Sequence, residues 1–124
     1  MKFKITAKIT YWWPIIVRVP DTENPGKFVE QKLKVQFEPK SRDDANEAME
    51  AAAKLTTQKE KADHEEQQLL DVVKNWDEVE DEDKNPIPFS SEMFLAAMQR
   101  SWFRTGVYSG YADSLSGIEA RLGN

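Results

Sequence analysis

Residues 15–38 read IIVRVPDTENPGKFVEQKLKVQFE, two apolar runs separated by a polar loop. The first run, residues 15–19, is rich in β-branched side chains, which favour strands. In the second run, apolar side chains from Val29 to Phe37 alternate with Lys, Glu and Gln, and this period of two is typical of a half-buried strand. The Pro, Asp and Gly residues between the runs favour a loop. We therefore predict a β-hairpin with a long connection.

The same alternation precedes the hairpin. In residues 1–11, apolar side chains occupy the odd positions and Lys or Thr the even positions, so this segment is predicted to form another strand. Residues 1–39 are thus predicted to form an antiparallel sheet of about three strands. Its solvated face is rich in Lys, which protects sheet edges from pairing with other chains.

Residues 40–76 are predicted to be helical. Ser41 is a candidate N-cap, and an apolar stripe follows it at helical spacing. The stripe weakens after residue 55, where Thr57 and Glu60 have the spacing of a second capping box. We therefore expect a break near residue 56, with the helix resuming and ending at Trp76.

Residues 77–89 form an acidic segment that contains Pro86 and Pro88, and it is predicted to be a loop. Ser90 is the predicted N-cap of the next helix, with the rings of Phe89 and Phe94 clamping its entry. Helices are expected over residues 90–117, ending near Gly117, followed by a tail over residues 118–124. The predicted fold is one α+β domain, in which three to four helices pack on an N-terminal antiparallel sheet.

Composition excludes several classes of function. The chain has 124 residues and a net charge of -5, which argues against binding to nucleic acid. It has no Cys and one His, so thiolate chemistry and a His or Cys metal cluster are excluded. No stretch approaches the roughly 18 apolar residues of a membrane span. We expect a cytoplasmic, non-enzymatic protein without a cofactor, a metal or a membrane partner.

Charge is distributed unevenly along the chain. Residues 1–40 contain eight basic and four acidic side chains, a balance of +4. Residues 41–83 contain five basic and fifteen acidic side chains, a balance of -10. His64 lies in this acidic part, where it is predicted to face solvent because no apolar pocket is indicated around it.

A calcium-binding module is an alternative. Carboxylate and amide side chains match positions one, three, five and twelve of a calcium-binding loop, at Asp81, Asp83, Asn85 and Glu92. Position six of such a loop requires Gly, and here it is Pro86, whose φ is fixed. The segment is therefore predicted to be a solvated acidic loop, and no metal ligand is assigned.

Eleven large apolar side chains are candidates for a partner interface or for structural anchors, since aromatic and Met side chains serve both roles. They are Trp12, Trp13, Trp76, Phe89, Met93, Phe94, Met98, Trp102, Phe103, Tyr108 and Tyr111. Trp12 and Trp13 are adjacent in a predicted strand, so one of them is expected on each face of the sheet. No catalytic or cofactor-binding residue is predicted.

The order of these features resembles a known family. The array begins with PIIVRVP (residues 14–20), continues through FVEQKLKVQFEPKSRDD (residues 28–44), and reaches LLDVVKNWDEVEDEDKNPIPFSSEMFLAAM (residues 69–98). In this order, and with a closing Tyr-containing helix, it resembles the tail assembly chaperones of long-tailed bacteriophages. The most specific part is a Trp, an acidic turn and the PxPFS motif that begins a helix. Asn85 stands where the family's turn often has Gly.

The resemblance implies a non-enzymatic protein of the bacterial host cytoplasm that is absent from the mature virion. Such a chaperone coats the helical tape measure protein and helps recruit tail tube subunits. A homo-oligomer would suit weak, repeated contacts along a long client. The alternative is a small structural subunit of the tail, such as a completion or connector protein.

Overall fold

The structure is a computed structural model that describes residues 1–120. Its elements are β1 (Tyr11–Pro20), β2 (Phe28–Phe37), α1 (Arg42–Ala53), α2 (Gln58–Val72), β3 (Val73–Asp77), α3 (Ser91–Ala97) and α4 (Ser101–Leu115). The three strands form one antiparallel sheet in the order β1-β2-β3. The predicted α+β class is confirmed. Residues 121–124 of the predicted tail lie outside the described residues.

The predicted hairpin is confirmed. Strands β1 and β2 pair along their whole length, from Tyr11 opposite Phe37 to Pro20 opposite Phe28. In the connecting loop, a carboxylate oxygen of Asp21 accepts the backbone N–H of Glu23 at 2.9 Å, which stabilises the turn. The odd-numbered side chains of both strands lie on the face toward the core, because successive side chains in a strand alternate between faces; on β2 they are buried from Leu33 to Phe37, whereas Val29 and Gln31 are exposed.

The predicted strand over residues 1–11 is wrong for residues 1–10, which form no strand. Tyr11 already lies opposite the last residue of β2, Phe37. Beyond that point the chain turns away: the backbone N–H of Glu38 donates to the carbonyl oxygen of Val72 at 2.8 Å, and α1 soon follows. Residues 1–10 therefore have no strand beside them, although their side chains alternate like those of a strand.

The third strand comes from a segment predicted to be helical. Helix α2 ends at Val72, so the prediction that the helix continues to Trp76 is wrong. Residues 73–77 pair with β2, and the register shifts by one residue between Gln36 and Phe37. This bulge lets Val73 and Trp76, three residues apart, both face the core at 3% and 6% exposure.

The predicted break near residue 56 is confirmed. Helix α1 ends at Ala53 and α2 begins after Thr57, whose side chain and backbone form both hydrogen bonds of a capping box with Glu60. His64 is partly buried, and a ring nitrogen donates to the carbonyl oxygen of Ala48 at 3.1 Å. Its predicted solvent-facing position is corrected accordingly, because α1 folds back beside α2.

Helix α4 lies very close to β1 because two Gly residues face the strand. A Cβ atom at Gly106 would stand 2.7 Å from the carbonyl oxygen of Ile16, and one at Gly110 would stand 2.2 Å from Ile15 Cδ1. Only Gly permits this approach. The core beneath α4 and the other helices consists of Ile15, Val17, Leu33, Val35, Phe37, Leu69, Val72, Val73, Trp76, Phe94, Met98 and Val107.

Candidate partner-binding grooves

The eleven candidate side chains divide into three groups by exposure. Trp76, Phe94 and Met98 are buried. Six others are partly buried against the core: Trp13, Phe89, Trp102, Phe103, Tyr108 and Tyr111. Trp12 and Met93 are exposed, at 44% and 37%. The first group can only stabilise the fold, whereas the other two groups offer surface to a partner.

The aromatic cluster around Trp76 stabilises the chain's second half. Phe89 lies edge-on to Trp76 at 5.4 Å between ring centroids, and Phe94 lies 5.8 Å from Phe103. Trp76 also donates its indole N–H to the carbonyl oxygen of Ile87 at 2.8 Å. Phe89 and Phe94 are 6.0 Å apart, which places them as the sequence predicts for a clamp at the start of α3.

Two tyrosines connect α4 to α2 and to β2. The Tyr108 hydroxyl donates to the carbonyl oxygen of Glu65 in α2 at 3.1 Å. Burial, reinforced by the nearby Glu65 carboxylate, raises the pKa of Tyr108 to about 12. The Tyr111 ring lies 5.0 Å from that of Phe37. Both tyrosines are therefore neutral at physiological pH and serve first as anchors between elements.

The first surface depression runs between β1 and the outer side of α4, and we call it the α4 groove. It has a volume of about 460 Å³. Small side chains line its helical wall, at Ser101, Thr105 and Ser109, since residues four apart in a helix share a side. The strand wall includes Trp13, and Trp102 contributes a second indole. Two aromatic side chains are thus available for contact in the groove.

The second depression, which we call the acidic cleft, lies where the helices leave the end of the hairpin uncovered. Its volume is about 650 Å³. Val17, Val19 and Leu33 provide apolar surface from the strands, and Trp102 and Phe103 provide aromatic surface from α4. Residues 78–82 form an acidic wall that contains three Glu and one Asp. Lys32 and Arg100 also line the cleft, so its lining has four acidic and two basic side chains. The net negative charge beside an apolar surface suits an apolar, basic ligand.

The acidic wall is held in place by hydrogen bonds within its own turn. The backbone N–H groups of Asn85 and Asp83 donate to one Asp81 carboxylate oxygen at 2.9 and 2.8 Å. These bonds hold the pKa of Asp81 below its ordinary value, and the bond from the Asn85 N–H has the largest effect. Glu78 and Lys84 both have φ of 65°, a left-handed conformation that is uncommon outside Gly.

The calcium-binding alternative receives no geometric support. Among residues 1–120, no three His, Cys, Asp or Glu side chains are grouped as they would be around a metal ion. Asp81, the first position of the proposed loop, uses its carboxylate to accept backbone N–H groups instead. Its neighbours Asp83 and Asn85 supply those N–H groups, which defines a hydrogen-bonded turn.

A third depression, between α1 and α2, contains a polar network. Lys40 contacts Asp71 at 3.3 Å and also donates to the side chain of Gln68. Partial burial acts to raise the pKa of Asp71, but hydrogen bonds from Gln67 and Lys40 outweigh it and lower the pKa. The network joins the start of α1 to the end of α2, and we interpret it as structural.

Sequence reasoning missed the residues that shape the α4 groove. Gly106 and Gly110 are four residues apart in a predicted helix, and each costs about 1 kcal/mol of helix stability relative to Ala. That cost is a signal of close packing against another element. The small residues at 101, 105 and 109 have the same spacing, so the signal was present in the sequence.

Comparisons with protein-family models, with curated proteins and with solved structures find no match. Within residues 1–120, none of the helices combines the length and the apolar character required to cross a membrane. The surface features that remain as candidates for function are the α4 groove and the acidic cleft.

Proposed function

We propose that this protein is a tail assembly chaperone of a long-tailed bacteriophage, acting without catalysis in the cytoplasm of the bacterial host. It binds amphipathic helices of the tape measure protein, helps recruit tail tube subunits and leaves before the virion is complete. The ordered resemblance over most of residues 14–117 supports the family, and the α4 groove is the observation that supports helix binding.

The dimensions of the α4 groove suit a helix. Its helical wall spans residues 101–113, which is about 18 Å at 1.5 Å per residue, or just over three turns. Because Ser101, Thr105 and Ser109 give the wall small side chains, a second helix can approach α4 closely there, toward the short end of the usual interhelical distances of about 8 to 10 Å. An unassembled tape measure would offer such helices in series.

The two indoles give the groove its apolar contacts. Trp13 and Trp102 are both partly buried, so each retains surface for a ligand while its position is fixed by the core. Trp side chains are frequent anchors in protein interfaces. Arg18 and Glu30 lie at the same groove and offer one charge of each sign to polar positions of the client.

Occupying the groove tests the proposal. Thr105 is exposed, so Thr105→Arg adds a long side chain to the groove without disturbing the core. Asn46→Arg is the matched control, since it adds the same charge at an exposed position of α1 outside the groove. Each tagged full-length protein is recovered from cells that express the complete gene set of its source, and the captured proteins are identified by mass spectrometry.

We expect the parent and N46R to recover a very long helical protein, and T105R to lose at least about tenfold of it. Purified particles should lack the chain. Undiminished recovery with T105R would move the binding surface away from the α4 groove. Stoichiometric presence in the particles would instead favour the alternative, a structural tail subunit.

A further inference from the structure

We propose that residues 1–10 of one copy bind in the acidic cleft of a second copy. The proposal concerns self-association and stands independently of the client. It joins two features that the fold leaves unmatched: a strand-like segment without a neighbouring strand, and an apolar cleft with an acidic wall.

The segment has the chemistry of a ligand. Phe3 and Ile5 are 90% and 92% exposed, although side chains of this kind are normally buried. Lys2 and Lys4 occupy the opposite side of the alternating pattern; Lys8, on the same side, pairs with Glu38 of its own chain at 3.8 Å. As an extended peptide, the segment therefore presents one apolar side and one basic side.

The acidic cleft has the complementary chemistry. Its apolar surface, from Val17 and Val19 to Phe103, can take the Phe and Ile side chains. Within the described part of the chain, Glu80 and Glu82 form no salt bridge, so their charges are available to Lys side chains. Complementary charges at the rim of an interface favour association and fix its orientation.

The occupant is a second copy because the segment leaves from the opposite end of β1. The cleft is formed at Val17 and Val19, whereas residues 1–10 precede Tyr11. Eight residues of strand separate Tyr11 from Val19, about 26 Å at 3.3 Å per residue. To reach the cleft of its own chain the segment would have to reverse direction at Tyr11, whereas Lys8 contacts Glu38 at 3.8 Å, just past the end of β2 that lies away from the cleft.

Donor segment and acceptor cleft are different surfaces, so the contact is head-to-tail. Each copy donates one segment and accepts another, which produces a ring if the rotation closes and a filament if it does not. The assembly therefore grows with protein concentration. A two-fold rotation gives a closed dimer in which both segments are exchanged.

Disulfide trapping tests the contact in the full chain, which has no native Cys. A copy with Ile5→Cys is mixed with a copy with Glu80→Cys under mild oxidation, and the matched control replaces the second copy with Asn46→Cys. All three positions are exposed, so the fold is preserved. We expect a mixed disulfide dimer in the first mixture, at least about tenfold above the control.

Sedimentation velocity measures the association itself. Phe3→Ser with Ile5→Ser should raise the dissociation constant about a hundredfold, because both side chains lose the apolar surface of the cleft. Glu80→Lys with Glu82→Lys should also weaken self-association. When that variant is mixed with Lys2→Glu/Lys4→Glu copies, binding between the two variants should be restored. The segment of one and the cleft of the other then both have reversed charge and attract each other again.

Three results would overturn the proposal. The first is a parent that stays monomeric at about 1 mM. The second is a disulfide yield no higher than that of the Asn46→Cys control. The third is a cross-link that forms only within one chain when Ile5→Cys and Glu80→Cys are combined.

Discussion

Replacing Gly110 with Ala tests how closely α4 lies on the sheet. The added Cβ would stand 2.2 Å from Ile15 Cδ1, whereas two carbon atoms prefer about 3.5 to 4.0 Å. Ile15 is 1% exposed, so its terminal methyl group has no open solvent to enter. The next contacts of the Cβ, with Trp13 at 3.6 Å and Ile15 Cγ1 at 3.7 Å, are ordinary. The conflict is therefore with one methyl group.

The expected energies follow from that geometry. Overpacking a core costs about 1 to 3 kcal/mol, and Ala in place of Gly within a helix regains about 1 kcal/mol. We expect Gly110→Ala to lower the free energy of unfolding by up to about 2 kcal/mol. Ile15→Val, which deletes the conflicting methyl group, should cost about 1 kcal/mol alone. The double variant should lie within about 0.5 kcal/mol of the parent, because the helix gain offsets the lost methyl group.

Urea unfolding followed by Trp fluorescence measures these four proteins, with Thr105→Ala as a control on the exposed side of α4. The control should change the free energy of unfolding by less than about 0.5 kcal/mol. Strictly additive effects of Gly110→Ala and Ile15→Val would refute the close approach of α4 to β1. An increase in stability from Gly110→Ala alone would refute it as well.

Three further variants test other contacts. Thr57→Ala should cost about 1 kcal/mol in a urea titration by removing the cap of α2, whereas the neighbouring Thr56→Ala should cost less than about 0.5 kcal/mol; equal effects would exclude the capping box. Because folding lowers the pKa of Asp81, its ionised carboxylate stabilises the fold above the pKa that Asp81 has in the unfolded chain. This stabilisation is lost as pH falls. The parent should therefore lose more stability than Asp81→Asn in acid titrations of unfolding, and parallel curves would contradict this. Trp76→Phe leaves the Ile87 carbonyl oxygen without its indole donor and should cost about 2 kcal/mol by thermal unfolding; an unchanged melting temperature would contradict the hydrogen bond.

The hairpin could be predicted because its signals are local. Alternation, the Pro and Gly residues of the loop and the β-branched run all lie within residues 15–38, and they agree with one another. The capped helix starts at Ser41, Thr57 and Ser90 were predictable for the same reason, since a cap involves residues only two or three positions apart.

The prediction of an N-terminal strand is wrong because a strand needs a neighbouring strand to pair with, in addition to alternating side chains. Residues 1–10 alternate as clearly as β1 does, but β2 ends where they begin. The missed strand β3 has a different cause. The bulge in β3 places Val73 and Trp76 on one face at a spacing of three, and that spacing also fits a helix. Periodicity alone cannot separate these two structures.

The candidate site was only partly predictable. The aromatic side chains were found by residue type, but their division into buried and accessible groups depends on which element covers each one. The α4 groove depends on Gly106 and Gly110. Gly has no side-chain functional group that would mark it as part of a binding site. Their spacing of four residues within a predicted helix is the feature that indicates them.

The contact between β1 and α4 also affects how the chain folds during its synthesis. The hydroxyl groups of Tyr11 and Ser114 are 2.8 Å apart in the fold and 103 residues apart in the sequence. At about 5 to 20 residues per second, a ribosome takes about 5 to 20 s to make the intervening chain. Once Phe37 completes the hairpin, its apolar face has no α4 to cover it for the rest of that interval, so the nascent chain is most vulnerable to aggregation just before its last helix emerges.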